Sequence, residues 1–395
     1  MDERDRRLAH ELAAGVLRRR GDLDTALAPY AEHGWESVKP KLRDVLRLGA
    51  YQLLELDKVP AHAAVSTSTE LAKKIVGERA AKFVNAMLRK LSANGAPSGS
   101  DAGSRRSHPA WLVLRWDARF GIEGTRDLLL WNDTPPPLVV QPARWSLDQL
   151  ETAFRAEGLH VRRAAHEAGL VVEGRTPTKL PGYTEGGFMV QDPAQAIVTR
   201  FAAIPEGSVI YDACAAPGGK AIALGRTAGR QGGRVLAADG NVARVRKLRV
   251  NLARAGSGRE FILAADAAQP PCRPVEVVLL DAPCLGTGTF ARHPDARWKV
   301  TPRALEVIVQ RQAALLEGVA GVVKPGGLLV YATCSLEPEE NELQVDRFLS
   351  AHPEFERESA PDADPTWLSP VGDLTLLPQV HGTDGAYAAR LRRRG

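Results

Sequence analysis

From about Gly187 to the C-terminus, short apolar runs alternate with segments of helical length, and few folds accommodate that order. The apolar runs are at 209–213, 234–238, 261–265, 275–280 and 328–332, and the intervening segments include 221–225 and 242–255. Strands that alternate with helices form parallel sheets covered on both faces. Residues 186–395 are therefore predicted to form a doubly wound α/β domain. Runs at 374–380 and 386–391 flank HGTDG, which predicts an antiparallel hairpin at the sheet edge.

The 395-residue chain is too long for one ordinary core, so two or three domains are expected. Residues 1–92 carry apolar stripes at helical spacing and are predicted to form an all-α bundle, with Asp24 as a helix N-cap. Residues 93–107 are rich in Ser, Gly, Ala and Pro, which predicts a flexible linker. Residues 108–185 are predicted to form a small α+β middle domain.

The net charge of +5 and the pI near 9.1 permit a polyanionic partner without requiring one. Basic groups at 18–20, 73–74 and 89–90 could contact phosphates, although a solvated helix face is at least as good an interpretation of each. The basic tail at 390–394 is most simply a solvated terminus.

The cysteines are Cys214, Cys272, Cys284 and Cys334. They form no CxxC pair and have no zinc-finger spacing, so neither a disulfide framework nor a metal site is expected. Cys214 and Cys272 are interpreted as structural. The N-terminal sequence lacks the apolar core of a signal peptide, and no run approaches the roughly 18 apolar residues of a membrane span. We expect a cytoplasmic protein, a monomer, with no membrane partner.

A glycine-containing turn follows the first run of the α/β domain. After Asp212 and Ala213 it comprises Cys214, Ala215, Ala216, Pro217, Gly218, Gly219 and Lys220. Glycines let the backbone approach a ligand, and a helix that begins there would direct unpaired N–H groups at an anionic group. The spacing matches neither GxGxxG nor GxxxxGK[ST], which disfavours a dinucleotide or a nucleoside triphosphate. A single carboxylate, such as the methionyl end of S-adenosylmethionine, requires less of the turn.

Acidic residues follow the next runs as well: Asp239 the second, Asp266 the third and Asp281 the fourth. Asp239 is suited to a ribose diol, and Asp266 could accept a hydrogen bond from an adenine amino group. Any one such acid is more often a cap or turn former, but their recurrence at strand ends favours cofactor binding, with Asp281 beside the same site. NAD remains a competing cofactor.

Two cysteines also follow runs of this domain, Cys284 after the fourth and Cys334 after the fifth. A single buried cysteine is more often a small hydrophobe, but two thiols and Asp281 at one sheet edge favour chemistry. A thiolate can add to C6 of a pyrimidine, which makes C5 electron-rich enough to take a methyl group. An acid near N3, a role for Asp281, would stabilise the charge on the ring.

Several motifs of the chain resemble a known family. DACAAPGGK, LLDAPCLGTG, ARHPDARWK and YATCSLEPEENE are similar to motifs of the RsmB (Sun/Fmu) branch of RNA 5-methylcytosine methyltransferases. LDTALAP, LRLGAYQLLELDKVPAHAAV and KFVNAMLRKL resemble the helical RNA-binding module of the NusB type that precedes these enzymes. Met1 lies close to the second helix of that module, so we expect its first helix to be absent.

The resemblance implies a NusB-like bundle, a small middle domain and a Rossmann-like class I methyltransferase domain. It implies small-subunit ribosomal RNA as the substrate, of the 16S rRNA cytosine 967 C5 type. In the family the cysteine after threonine attacks the base and the one after proline assists release, which makes Cys334 the nucleophile and Cys284 the releasing partner. Spacing alone leaves these roles open, because DNA cytosine methyltransferases use a Pro-Cys thiol as the nucleophile.

This sequence departs from the family pattern in two places. Leu285 stands where a serine is common, and Gln141 and Ala143 stand where the middle domain is expected to carry Arg-x-Asn.

Candidate RNA contacts follow Cys284. They are Arg292, His293, Arg297, Trp298 and Lys299, which combine charge with an aromatic face. His293 could equally stabilise its loop.

The sequence thus predicts an S-adenosylmethionine-dependent RNA cytosine C5-methyltransferase. The alternative is a catalytically silent RNA-binding factor for ribosome assembly or antitermination. An amino-group methyltransferase should instead carry Asn/Asp-Pro-Pro-aromatic, where this chain has DAPC.

Overall fold

The structure is a computed structural model that describes residues 2–95, 102–228 and 231–395. The chain forms two compact units, Met1–Pro135 with Phe290–Val300 and Pro136–Thr289 with Thr301–Gly395. The domain boundaries derived from the sequence stay predictions, and this grouping differs from them because 108–135 joins the first unit. Residues 96–101, the centre of the predicted linker, lie outside the described residues.

The first unit is helical. Its helices are α1 (Glu3–Arg18), α2 (Arg20–Leu27), α3 (Pro40–Glu55), α4 (Ala61–Ile75), α5 (Glu78–Asn94), α6 (Ala102–Arg106) and α7 (Ala110–Asp133). The predicted stripes supply its core, where Leu46, Val84 and Leu88 are fully buried. The all-α prediction for 1–92 is confirmed. The N-cap prediction is wrong, because Asp24 lies inside α2 and its carboxylate accepts hydrogen bonds from the guanidinium of Arg47 at 2.7 and 2.8 Å.

The second unit begins with a small antiparallel sheet in the strand order β2-β3-β1-β4. Its elements are β1 (Leu138–Pro142), α8 (Leu147–Ala156), β2 (Val161–Arg163), β3 (Leu170–Val172) and β4 (Phe188–Val190). Gln141 and Ala143, which replace the Arg-x-Asn pattern, are both buried, and Gln141 Nε2 donates to the carbonyl of Ala168 at 2.7 Å. Gln141 therefore bonds a neighbouring backbone carbonyl, and Ala143 packs in the core of the larger sheet that follows.

A larger mixed sheet follows, with helices between its strands. Its elements are α9 (Pro193–Phe201), β5 (Val209–Asp212), α10 (Gly219–Ala228), β6 (Arg234–Asp239), α11 (Val242–Ala255), β7 (Glu260–Ala264), β8 (Val275–Asp281), α12 (Pro302–Ala320), β9 (Val323–Thr333), α13 (Glu342–Ala351), β10 (Phe355–Arg357), β11 (Leu374–Leu376), α14 (Pro378–His381) and β12 (Ala386–Arg393). In the described residues the strand order is β10-β12-β9-β8-β5-β6-β7, and β11 pairs with β12. Strands β5 to β9 are mutually parallel, which confirms the doubly wound, Rossmann-like prediction.

The direction in which strands are added reverses between β5 and β8. The chain first extends the sheet outward through β6 and β7, then returns to place β8 and β9 on the other side of β5. Asp212 pairs with Leu279 of β8, and Asp281 pairs with Ala332 of β9. Open α/β sheets bind ligands beyond the carboxyl ends of their strands at such a reversal. The acids and the cysteines of the sequence motifs follow these strand ends.

The C-terminal segment differs from the sequence-based expectation. Strands β11 and β12 pair antiparallel, as expected of a hairpin, but β12 lies between β9 and β10 and is not an edge strand. Arg390 is buried within β12, and its guanidinium donates to the carbonyl of Ala202 and to the carboxylate of Glu358. The prediction of a solvated tail is therefore wrong for residues 390–393, which belong to an internal strand, whereas Arg394 beyond it is exposed.

In the part of the chain that the structure describes, no helix combines the length and the apolar character needed to cross a membrane. The same residues contain no group of three or more His, Cys, Asp or Glu side chains that could hold a metal ion.

Candidate active site

The two predicted catalytic thiols meet beyond the carboxyl ends of β8 and β9. Cys284 follows β8 by three residues and Cys334 directly follows β9, and their sulfur atoms are 3.3 Å apart. This separation places the sulfurs within hydrogen-bond distance of each other. The parallel pairing of β8 with β9 explains the convergence, because it brings two residues that are 50 positions apart in sequence to one edge of the sheet.

The contact between the two sulfurs affects the protonation of Cys284. The hydrogen bond with Cys334, reinforced by burial, raises the pKa of the Cys284 thiol well above its ordinary value. Cys284 is therefore a neutral thiol at physiological pH. Since a thiolate is the nucleophilic form of cysteine, this environment disfavours Cys284 as the sulfur that attacks.

The turn that contains Gly385 contacts the loops that carry the two cysteines, and the sequence predicted no role for it in the site. Gly288 donates its N–H to the carbonyl of Cys334 at 3.0 Å, and Gly385 donates its N–H to the carbonyl of Gly288 at 2.8 Å. A Cβ at Gly288 would lie 2.7 Å from the Cα of Gly385 and 2.9 Å from the carbonyl oxygen of Cys334. Three backbones therefore meet here at a distance that only glycine permits. The predicted HGTDG turn, which contains Gly385, was the only sign of this in the sequence.

Asp281 and Lys220 form an ion pair beside the thiols. Lys220 Nζ donates to Asp281 Oδ2 at 2.7 Å and also bonds the side-chain oxygen of Gln195. The Lys220 side chain is almost fully buried, whereas about a third of that of Asp281 remains exposed. Lys220, the last residue of the glycine turn, thus binds Asp281, the acid predicted to contact the cytosine ring. The predicted cofactor site and the predicted site of the target base are therefore adjacent.

The glycine turn leads into the N-terminus of α10, whose first N–H groups have no acceptor within the helix. Gly218 has a φ of 111°, in the region that favours glycine, and a Cβ there would lie 2.9 Å from a methyl group of Leu248. A Cβ at Gly219 would lie 2.6 Å from the side-chain nitrogen of Gln191. Ala215, Ala216 and Pro217 complete the turn between β5 and these glycines. The two glycines therefore let Leu248 and Gln191 pack closely against the turn, while the N–H groups at the start of α10 are oriented towards a carboxylate that approaches the helix.

Asp212 ends β5 with its side chain fully buried and with no hydrogen-bond partner for either carboxylate oxygen among the described residues. Burial, with a contribution from the charge of Asp281, raises the pKa of Asp212 to about 8. A buried carboxylate without a partner is costly unless a ligand satisfies it. A cationic group such as the ammonium of a methionyl moiety would do so.

Asp239 and Asp266 follow the next two strands but differ in environment. Asp239 is fully buried, its Oδ1 accepts the N–H of Asn241 at 2.8 Å, and its Oδ2 has no partner among the described residues. An orphaned oxygen of this kind fits a ribose hydroxyl. Asp266 is exposed and accepts hydrogen bonds from the N–H of Ala268 and from Arg311, of which the first chiefly lowers the pKa of Asp266.

The other two cysteines lie outside the pair. Burial raises the pKa of the Cys214 thiol to about 12 and also raises that of Cys272. Both remain neutral thiols at physiological pH, in line with the structural interpretation, and Cys214 would contribute to cofactor binding only through its backbone. The unpartnered carboxylate oxygens of Asp212 and Asp239, together with the glycine turn, fit the methionyl and ribose parts of S-adenosylmethionine.

Arg297 is not placed as an RNA contact. Its side chain is fully buried in the first unit, where it forms an ion pair with Asp133 at 2.8 Å and donates to the carbonyl of Asn132 at 2.7 Å. A guanidinium with no accessible surface cannot reach a phosphate, so the expectation for Arg297 is corrected. Its charge compensates the buried carboxylate of Asp133.

The four remaining RNA candidates retain different degrees of exposure. His293 and Lys299 are exposed, and Arg292 is half-buried. Trp298 is half-buried as well, because its indole N–H donates to the carbonyl of Leu17 at 3.0 Å and the guanidinium of Arg20 lies 4.3 Å from its ring centre. His293 and Lys299 are therefore the members of this group best placed to meet a ligand.

Known proteins resemble this chain over nearly its whole length. Residues 201–392 match the family described as 16S rRNA methyltransferase RsmB/F, and residues 1–93 match the NusB family. The chain is 36% identical over 414 residues to the probable ribosomal RNA small subunit methyltransferase B of Synechocystis, a match that covers 98% of this chain and 91% of that protein. It is 31% identical to the ribosomal RNA small subunit methyltransferase B of Vibrio cholerae, with 99% and 90% covered.

A solved methyltransferase homolog protein from Pyrococcus horikoshii is 27% identical, with a TM-score of 0.61 over 72% of this chain and 95% of that chain. The matches to the relatives extend over nearly the whole sequence and include both the helical region and the sheet edge that carries the thiols. The chain therefore belongs to the RsmB/F family of 16S rRNA methyltransferases, whose cofactor is S-adenosylmethionine.

Proposed function

We propose that this protein transfers a methyl group to C5 of a cytosine in small-subunit ribosomal RNA, as an enzyme of the 16S rRNA cytosine 967 type. The observation that carries the proposal is the pair of sulfurs, Cys284 and Cys334, 3.3 Å apart at the sheet edge that also holds Asp281. Methylation of an exocyclic amino group needs no thiol nucleophile, whereas methylation at C5 of a pyrimidine does. Two convergent thiols therefore favour carbon over nitrogen as the methyl acceptor.

In the first step the sulfur of Cys334 forms a bond to C6 of the cytosine. The electron pair of the C5–C6 double bond moves onto the ring, and N3 takes a proton from the Lys220–Asp281 pair, which stabilises the charge that develops. The same proton returns to the pair when Cys334 leaves. Lys220, 2.7 Å from Asp281, orients that carboxyl group. C5 becomes nucleophilic as a result.

S-adenosylmethionine, when bound, would supply an electrophilic methyl group, and C5 would bond to this carbon as the bond from the carbon to the sulfonium sulfur breaks, with S-adenosylhomocysteine as the leaving group. The glycine turn, Asp212 and Asp239 would hold the cofactor at the same edge of the sheet. C5 now carries both a methyl group and a hydrogen, so the proton at C5 has to be removed before the Cys334–C6 bond can break.

Cys284 is placed to take that proton. Once Cys334 is bonded to C6, the hydrogen bond with Cys334 that raised the pKa of Cys284 is lost, and the Cys284 thiol can release its proton to solvent. The Cys284 thiolate then accepts the proton from C5, the C5–C6 double bond re-forms, and Cys334 leaves as a thiolate. The pair returns to its starting protonation, with one proton released for each methyl group transferred.

The helices of the first unit support RNA as the substrate. Residues 1–93 match the NusB family, and the resemblance of their sequence to the NusB type of module implies RNA binding. The rival function, a catalytically silent RNA-binding factor, would give no reason for two cysteine sulfurs to be held in contact beside Asp281. The predicted cytoplasmic location and monomeric state stay predictions.

The test combines product mapping with trapping of the adduct. Incubation with labelled cofactor and unmethylated small-subunit RNA should give 5-methylcytosine at one position in bisulfite sequencing. Cys284→Ala should accumulate a covalent RNA–protein adduct and Cys334→Ala should form none, while Cys272→Ala, outside the pair, should behave as the wild type. RNA binding without any 5-methylcytosine would support the silent factor, and the reverse adduct pattern would exchange the roles of the two thiols.

A further inference from the structure

Glu340 contacts the residue that follows each of the two thiols. It lies between β9 and α13 with its side chain fully buried. Its Oε2 accepts the N–H of Leu285 at 3.0 Å, and its Oε1 accepts the hydroxyl of Ser335. Leu285 follows Cys284, and Ser335 follows Cys334. One carboxylate therefore links the two cysteine loops, which come from different parts of the chain.

A second buried side chain extends this link to the other side of Cys284. Gln312 of α12 donates from Nε2 to Glu340 Oε2 at 2.9 Å and to the carbonyl of Pro283 at 2.9 Å. Pro283 precedes Cys284, so the peptide groups before and after this cysteine are both bound to the Glu340–Gln312 pair. The backbone that carries the sulfur has little freedom to move independently of Glu340.

Glu340 is itself fixed to the strand that delivers Cys334. The hydroxyl of Tyr331 in β9 donates to the carbonyl of Glu340 at 2.6 Å. The adjacent Asn341 accepts the hydroxyl of Thr333 at 2.6 Å and donates to the carbonyl of Ser335 at 2.9 Å. The carboxylate is thus supported on β9 and reaches across to the loop that follows β8.

Retaining a carboxylate in this interior is unfavourable on its own. Burial raises the pKa of Glu340, which reflects the cost of removing a carboxylate from water. An apolar side chain of similar volume would avoid that cost, yet it could not accept hydrogen bonds from Leu285, Gln312 and Ser335 at once. The position therefore requires an acceptor that serves both loops.

We propose that Glu340 is a positioning residue for methyl transfer, which holds the sulfurs of Cys284 and Cys334 in contact by binding the residue that follows each of them. This inference rests on the proposed function. Glu340 touches neither the base nor the cofactor in this role, and Gln312 assists it on the Cys284 side.

The negative charge of Glu340 has a separate effect on the thiols. It is one of the causes that raise the pKa of Cys284, after the contact with Cys334 and burial. Glu340 therefore helps to keep the proton on Cys284. Geometry and charge can be separated by substitution, because glutamine keeps the shape of the side chain without its charge.

Two variants make the separation. In Glu340→Gln the amide oxygen can still accept from Leu285 and Gln312 while the amide nitrogen donates to Ser335 Oγ, so the loops stay linked. In Glu340→Ala all of these bonds are lost. We expect Glu340→Ala to lower kcat by about 100-fold, the usual effect of displacing a reacting group by about 1 Å, with KM for RNA and Kd for S-adenosylmethionine within about twofold of the wild type. Glu340→Gln should recover most of kcat. The acid limb of its plot of kcat against pH should lie at lower pH than in the wild type, because loss of the negative charge lowers the pKa of Cys284.

Asp373→Asn is the matched control, because Asp373 is a buried carboxylate of the same unit whose partners are Tyr387 and Arg357. It should lower the Tm without changing the ratio of kcat to KM. Wild-type kcat in Glu340→Ala would overturn the proposal. So would equal losses in both Glu340 variants accompanied by a rise in KM and a fall in Tm like that of the control.

A readout that does not depend on methyl transfer keeps the two claims apart. Iodoacetamide should alkylate Cys334 faster than Cys284 in the wild type, because the raised pKa keeps Cys284 as a thiol. Mass spectrometry should show that the ratio of the two alkylation rates, Cys334 to Cys284, falls towards one in Glu340→Ala but not in Asp373→Asn. If the wild type makes no 5-methylcytosine while the ratio still narrows, the proposed function fails and the positioning role stands. If the wild type is active and the ratio does not change, the positioning role fails alone.

Discussion

Arg297 and Asp133 form an ion pair of 2.8 Å in the interior of the first unit, where 0% and 4% of their side chains are exposed. Burial lowers the pKa of Arg297 and raises that of Asp133, although each charge partly offsets the effect on the other. A buried pair of this kind is weak evidence of net stabilisation, but removing one partner leaves the other charged and uncompensated.

Arg297→Met should therefore destabilise the first unit by about 3–5 kcal/mol. Chemical denaturation followed through the fluorescence of its tryptophans would measure this free energy of unfolding. Lys299→Met is the control, since Lys299 belongs to the same segment but forms an exposed pair with Asp295 and should change stability little. A loss of RNA affinity in Arg297→Met at unchanged stability would restore the interpretation of Arg297 as an RNA contact.

Asp212 should make the stability of the cofactor-free protein depend on pH. Its pKa is about 8 in the folded state and about 4 in an unfolded chain, so the folded state binds the extra proton. The contribution of Asp212 is therefore fully present below pH 4 and is lost as the pH rises to 8, by roughly 1.4 kcal/mol per pH unit. Asp212→Asn should lack this dependence and gain stability relative to the wild type across that range. Parallel slopes for the two proteins in urea denaturation between pH 5 and pH 8 would contradict the buried, unpartnered placement.

Gly288→Ala should reduce methylation by about 100-fold without unfolding the second unit. The added Cβ would lie under 3.0 Å from the backbone of both Gly385 and Cys334, so the loop that carries the nucleophile has to shift. Gly321→Ala is the matched control, because its Cβ would meet its nearest neighbour at 3.6 Å. Single-turnover kinetics with saturating RNA would show the loss, and unchanged rates in Gly288→Ala would mean that the close approach of the loops does not matter for chemistry.

Asp239→Asn should weaken S-adenosylmethionine binding by about 10- to 100-fold, since a charged acceptor contributes about 1.5–3 kcal/mol to a hydrogen bond. The variant keeps the shape of the side chain and one acceptor oxygen, so the Tm should change far less than the affinity. Calorimetric titration of the cofactor would measure the Kd, with Asp346→Asn on α13 as a control that should bind normally. An unchanged Kd would remove Asp239 from the cofactor site.

The sheet of the second unit was predictable because buried parallel strands leave a continuous apolar run in the sequence. The strand predicted at 275–280 is observed as Val275–Asp281, and the helix predicted at 242–255 is observed with those bounds. The convergence of Cys284 and Cys334 was predictable for the same reason, since parallel strands bring their carboxyl ends to one edge. Local periodicity and the rules of strand order were sufficient here.

The residues that were misread or missed depend on partners far away in the chain. Arg297 resembles a surface residue in its local sequence, and only the pairing with Asp133, 164 positions earlier, makes it an interior residue. Glu340 lies in an acidic stretch whose local sequence is typical of an exposed segment. Its hydrogen-bond donors Leu285 and Gln312 are both distant from it in sequence. Burial of a charge requires a specific partner, and no local pattern reveals which residue that partner is.

The segment Phe290–Val300 belongs to the helical unit, although the residues on both sides of it belong to the other unit. The chain therefore passes between the units at three points, near Pro135, Thr289 and Val300. A single cut in the first connection would yield an N-terminal fragment that lacks Arg297, which would leave the buried carboxylate of Asp133 without its cation. Limited proteolysis or truncation at one boundary would thus not separate this protein into its two intact units. The two units therefore have to be expressed together as one chain.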